Sequence, residues 1–224
     1  MAAEDFASYA TDEYIAVKAS GDWEVLTPDW QKLAEGSDGV IASGSPWVLN
    51  SSSVDFEAAG VKTGHVVRLK NRSYWKGSGD LLAVESADGG SLTMRRIGGN
   101  AVGVGHPPVI AGGSSIEFSI CTLDPQTAEA SRDLNRRFNI DLNVPCRAPS
   151  NLYEVTDLRD ACILSVLVSR YSAETRAGTG DFALKLAEYK EKLDSVMGSL
   201  TVRWTTPAGS TTSSGLVVGR LVRR

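Results

Sequence analysis

The stretch VRLKNRSYWK, residues 67–76, interleaves Arg68, Lys70, Arg72 and Lys76 with Tyr74 and Trp75. Cationic groups neutralise phosphates and aromatic faces stack on bases. On one exposed face, beside Arg95 and Arg96, these residues would make a nucleic-acid platform, with Arg68, Lys70, Arg72, Trp75 and Lys76 as its contacts. The same composition also fits a solvated β-hairpin loop with Trp75 folded onto a barrel. Other candidates for chemistry are sparse. His65 starts a strand-like run and His106 lies in GVGHPP, and neither stands in a recognisable nucleophile–base–acid setting. The loop GGNAVGVG at 98–105 lacks the lysine of a phosphate-binding P-loop. Carboxylates are plentiful, but no pair is marked as an acid/base couple. Cys121, Cys146 and Cys162 are odd in number and match no metal spacing, so buried free thiols are expected. No enzyme, metal or cofactor is expected. An enzyme would need an acid/base pair assembled only in three dimensions.

Charge is distributed unevenly along the 224 residues. Residues 1–40 hold nine acids against Lys18 and Lys32, whereas nothing after Asp194 is acidic and Arg203, Arg220, Arg223 and Arg224 follow. An acid front and a basic tail suit head-to-tail contact between subunits, or reflect solubility alone. No run approaches a membrane span. The start, MAAEDFASYATDEY, carries acids where a secretory signal needs a basic and then an apolar stretch, so a soluble protein made in a cytoplasm is expected.

The elements that would carry these residues fall into two regions, which predicts an α+β chain. Over residues 1–122, turn signals such as SGD (20–22), EGSDG (35–39), SGSP (43–46) and ADGG (87–90) recur between short runs of strand composition. The runs are Tyr14 to Lys18, Trp47 to Asn50, His65 to Leu69, Leu81 to Glu85, Ser91 to Arg96 and Ser115 to Cys121, the cadence of a small antiparallel barrel or sandwich. LLAVESADGGSLTMRRI reads as a hairpin closed by Asp88, Gly89 and Gly90.

From 123 to 224 the apolar period lengthens to that of a helix. Asp124 and Pro125 start one running to about residue 138. Thr156 can cap a second, whose Leu158, Ala161, Cys162, Leu164, Leu167 and Tyr171 leave little polar surface, so it should be central to a bundle. AGTG at 177–180 is a short interhelical loop and Asp181 a plausible cap. A third helix then carries one stripe, Phe182, Leu186, Tyr189, Leu193, Val196 and Met197, and Gly198 is placed to end it in a left-handed turn. LTVRW and LVVGRLV flank the polar loop TPAGSTTSS and read as a terminal β-hairpin or arm.

The pattern of Tyr153, Asp157-Leu158-Arg159, Ala161, Leu164, Leu167 and Tyr171, followed by a short loop, an amphipathic helix around Tyr189 and Leu193 and a β-arm, resembles the helical core of tailed-bacteriophage head-to-tail connector (adaptor or neck) proteins. VDFEAAGVKTGHVVRL with LLAVES and SLTMRRI is similar to a small β-module of phage virion proteins. The first resemblance covers roughly residues 124–222; the long β-rich region before it is absent from the simplest adaptors. The resemblance implies a structural virion protein assembled in the bacterial host cytoplasm. It would form a homo-oligomeric ring, a dodecamer by family resemblance, between the portal protein and a tail or neck protein. Packaged DNA is a further potential contact and no membrane is involved. The contact residues toward portal or neighbouring subunit would be Arg203, Trp204, Leu216, Val218, Arg220, Leu221, Arg223 and Arg224. Strand addition against the arm or folding back of the arm on its own chain are both open.

Overall fold

The computed structural model describes residues 8–45, 47–70, 80–98, 113–141, 143–144, 147–152, 154–178, 182–204 and 216–217. The chain is α+β and divides into two compact units, Thr11–Leu123 and the described residues on either side of it.

In the first unit, among the described residues, six strands close an antiparallel barrel in the order β1-β2-β5-β4-β3-β6. They are β1 (Lys32–Ile41), β2 (Val48–Asn50), β3 (Val66–Lys70), β4 (Asp80–Asp88), β5 (Ser91–Arg96) and β6 (Gly113–Cys121). Closure leaves no free sheet edge. The inward positions supply the core: Leu49, Leu69, Leu92, Met94 and Ile120 are fully buried, and the rings of Phe56 and Phe118 meet at 5.6 Å. The β4–β5 hairpin turns at Gly89 (φ +48°) and Gly90. An added methyl on Gly90 would lie 2.6 Å from the Ser51 carbonyl oxygen, which is why this turn is closed by glycine on both counts.

Two expectations over this region fail. Tyr14 to Lys18 is helix, not strand: α1 (Asp12–Ala19) begins after the extended residue Thr11, carries Asp12 and Glu13 where the helix dipole favours acids, and buries Ile15, Ala16 and Ala19. Those three positions share a helical face, and the β-branched residues that suggested a strand are split between inside and out. A second short helix, α2 (Trp23–Leu26), and a 3-10 turn at Asp29–Gln31 follow. EGSDG at 35–39 is also not a turn, since it runs through β1. A Cβ on Gly36 would meet the Phe118 ring at 2.6 Å and one on Gly39 the Ile116 carbonyl oxygen at 2.7 Å, with register shifts there. The glycines admit close neighbours at bulges rather than reversing the chain.

Acids at the front of the chain are consumed in holding α1. Glu13, buried, receives a bidentate pair from Arg95 and the N–H of Gly98 at 3.0 Å. Asp12 Oδ1 accepts the Leu123 N–H at 2.8 Å. In the next strand, the Asp38 carboxylate gathers the loop after β2: Ser51 and Ser53 hydroxyls donate to Oδ1, and the Ser52 hydroxyl with the Ser52 and Ser53 N–H groups donate to Oδ2, all at 2.8–2.9 Å.

The second unit contains α3 (Asp124–Phe138), α4 (Thr156–Ala177) and α5 (Ala183–Ser199). α4 packs on both others and buries Leu158, Ala161, Cys162, Ile163, Leu164, Val166, Leu167 and Tyr171. Thr156 is its first residue rather than its cap; Val155 precedes it and no side chain caps there. Gly178, left-handed at φ 71°, ends it. α3 presents a buried polar seam to α4, Thr127, Ser131 and Asn135 at intervals of four. Tyr9 closes the seam, its N–H on Ser131 Oγ (3.0 Å) and its hydroxyl on Asn135 Oδ1 (2.6 Å). Burial, with the neighbouring Cys162, pushes the phenol well above its ordinary value.

Gly198 does not end α5, which runs on to Ser199. The Ser199 hydroxyl bonds back to the carbonyls of Ser195 (3.2 Å) and Val196 (3.1 Å), so the last turn is satisfied without a left-handed residue, and Leu200 leaves in extended conformation. Asp181 lies outside the described residues. Val202–Arg203 (β7) pairs antiparallel with Leu216–Val217 (β8), and Trp204 bridges Leu152. No helix among the described residues is long and apolar enough to cross a membrane.

Candidate functional site

Two places concentrate the residues expected to carry function. The first is a shallow cleft on the barrel surface, lined by residues of β1, β3 and β6, which run side by side, and by Trp23 and Glu24 of α2. β3 projects Arg68 and Lys70 outward by simple alternation, since Val67 and Leu69 point into the core. Arg68 pairs with Glu24 of α2, and Lys70 stands 3.9 Å from Glu35 of β1. Glu35 also accepts from Lys32 at 2.8 Å, and Asp29 lies 3.6 Å from the same ammonium. The cleft floor contains Ser119 and Cys121.

Electrostatics in the cleft follow from these pairs. The hydrogen bond from Arg68, reinforced by the charges of Arg68 and Lys70, holds the Glu24 carboxyl below its usual value, and Lys32 does the same to Glu35. In return Glu35 raises Lys32. Burial pushes the Cys121 thiol up and keeps it protonated. Arg68 and Lys70, the phosphate contacts of the alternative nucleic-acid reading, each face a carboxylate that cancels its field at short range. Arg72, Trp75 and Lys76 lie outside the described residues, as does His106. His65 is buried, and its Nδ1 accepts the Lys62 N–H at 3.1 Å.

The second place is the end of the helical unit. α5 rests on α4 through the stripe read from the sequence: Tyr189 stacks on Tyr171 with ring centroids 5.4 Å apart, and Phe182 tilts against the same ring at 5.6 Å. Yet no residue of α5 is buried; each member of the stripe remains half-covered, and Leu184 is 77% exposed. Beyond α5, a polar cleft of about 170 Å³ opens between the start of α4 and β7, with Glu154 and Asp157 on one side and Arg203 on the other. Of the expected contact residues, Arg203 is exposed, Trp204 is half-buried, and Leu216 pairs with Arg203 across the two strands. Val218, Arg220, Leu221, Arg223 and Arg224 lie outside the described residues.

Sequence reading missed Glu24, Asp29, Lys32 and Glu35 as parts of one constellation. A strand assignment for residues 32–41 would have placed Lys32 beside β6, but the glycines of EGSDG concealed it. Of the three thiols expected to be buried, Cys162 is buried against Ser131 and the Thr127 carbonyl, with its thiol raised by burial, Cys121 is half-buried, and Cys146 lies outside the described residues. Compared with protein-family models, with curated proteins and with solved structures, the chain matches none.

Proposed function

We propose that this chain is a structural protein of tailed-phage particles, a head-to-tail connector that assembles as a ring of identical subunits between portal and tail. The observation that carries the reading is the state of α5. A helix of 17 residues whose apolar stripe is half-covered throughout, with no residue buried, packs among the described residues chiefly on α4, where a fully packed helix has two or more neighbours. The short β7–β8 pair supports the same reading, because two strands alone are marginal in water and gain by adding to another sheet.

In this reading α3–α5 form the stiff helical core, with α4 at its centre. Residues from Arg203 onward form the arm toward a neighbouring subunit or the portal, and the barrel is an added outer domain. Mass spectrometry of purified phage particles from the source host tests the assignment. The chain should be present at the stoichiometry of a ring; its absence from mature particles and assembly intermediates alike would refute it.

The pairing of Arg68 with Glu24 and of Lys70 with Glu35 weighs against the nucleic-acid reading, whose other contacts, Arg72, Trp75 and Lys76, lie outside the described residues.

A further inference from the structure

The floor of the barrel cleft holds a hydroxyl that the fold leaves unused. Ser119 lines the cleft and is only 7% exposed, and among the described residues its Oγ makes no hydrogen bond. Strand register fixes its surroundings. On β6 it stands directly opposite Glu35 of β1 on one side and Arg68 of β3 on the other, a spacing at which facing side chains start about 5 Å apart. Cys121, two residues on and therefore on the same face, lies opposite Lys32.

Depth then sorts the charges. The cations lie low, with side-chain exposure of 14% for Arg68, 28% for Lys32 and 32% for Lys70. The carboxylates stand outward, at 65% for Glu24, 53% for Glu35 and 98% for Asp29. The deep polar groups are thus three cations, a hydroxyl and a protonated thiol, and each of them can donate a hydrogen bond. Such a floor suits an anion. The cleft volume of about 40 Å³ is room for roughly three water-sized groups, which is the bulk of one carboxylate. Glu24 already shows that the Arg68 guanidinium, whose planar fork matches a carboxylate, takes one. Because ion pairs held at the solvent side contribute little, Glu24 yields that position easily.

We propose that this cleft binds the carboxylate of a small organic acid, which replaces Glu24 on Arg68 and accepts a hydrogen bond from Ser119 Oγ. The outward carboxylates and the small volume exclude a polyanion. The site is independent of the connector reading and stands or falls apart from it.

Saturation-transfer NMR of sodium acetate with the full-length protein, at an ionic strength held constant with chloride, tests the site. Acetate should bind the wild type saturably. Glu24→Gln removes the internal competitor and should tighten binding by up to about fivefold, the strength of the exposed pair that is displaced. Ser119→Ala should weaken it roughly tenfold, the loss of one hydrogen bond to a charged group. Lys192→Gln, which removes a cation of α5 that also pairs with a glutamate, should change nothing. Glu24 is exposed and Ser119→Ala deletes a single oxygen, so unchanged circular-dichroism melting curves are expected for both. Absence of saturable binding to the wild type and to Glu24→Gln alike would overturn the proposal, as would equal affinity of Ser119→Ala and the wild type. Inorganic phosphate that displaces acetate and binds more tightly would show a site selecting charge instead of a planar carboxylate, and would overturn it too.

Discussion

Tyr189 of α5 lies flat on Tyr171 of α4, the ring planes 10° from parallel and the centroids 5.4 Å apart. Tyr171 is buried and Tyr189 half-covered, so this stack marks the register between a helix that packs on both others and one that, among the described residues, buries none of its own.

Truncation within α4 should therefore be costly in a single subunit. Leu167 is fully buried and Leu164 nearly so, and replacing either by alanine should cost about 2–5 kcal/mol, with Leu167→Ala the worse. Urea denaturation followed by circular dichroism measures this. Wild-type midpoints for both variants would mean that α4 is not packed until subunits assemble.

Glu13 and Arg95 make the ion pair that ties α1 to the barrel, with side chains only 9% and 19% exposed. Removing one member leaves the other charge buried. Arg95→Ala should destabilise by about 3–5 kcal/mol, while the double variant Glu13→Gln, Arg95→Met should recover much of that loss. A single variant no less stable than the double would contradict the pairing.

The Asp38 clamp gives a pH signature. Hydrogen bonds from Ser51 first, then Ser52 and Ser53, hold its carboxyl far below the ordinary value. The folded state thus binds its proton less readily than the unfolded chain, so the stabilisation is complete above the unfolded carboxyl value, about pH 4, and is lost as pH falls below it toward the folded value. Asp38→Asn should be less stable than wild type at pH 7, and the gap should close in acid. A gap that stays constant down to pH 2 would show that the carboxylate charge is not what the serine loop holds.

Neutralisation in the barrel cleft also has a direct readout. Because Glu24 and Glu35 occupy Arg68 and Lys70, the double variant Arg68→Ala, Lys70→Ala should leave DNA affinity unchanged and reduce no salt slope. A slope that falls by about two on this substitution would restore the nucleic-acid reading.

Much of the barrel was legible because its later strands are short runs of strand-forming residues, β5 alternating cleanly, and its β4–β5 turn carries two glycines, Gly89 at positive φ and Gly90 against the Ser51 carbonyl. α3 and α4 were legible for the matching reason, an unbroken helical period from Asp124 and from Thr156. What escaped was decided by tertiary contact. Gly36 and Gly39 read as a turn because the ring of Phe118 and the backbone at Ile116, which require them to be small, are some 80 residues away in sequence. Tyr14 and Val17 look like strand residues until Ile15, Ala16 and Ala19 are seen to share a buried face. The seam of Thr127, Ser131 and Asn135 looks solvated, since nothing local shows that Tyr9 will cover it. The cleft was half visible: Arg68 and Lys70 drew notice for their charge, and the carboxylates that quench them arrive from α2 and β1.

The central claim is that subunits complete one another through α5 and the C-terminal arm, and native mass spectrometry of the full chain beside a chain ending at residue 205 tests it most directly. The account predicts a closed homo-oligomer for the full chain and a folded monomer for the shortened one, which lacks β8 and the basic tail. A full-length chain that stays monomeric at every concentration, or a shortened chain that assembles equally well, would contradict it.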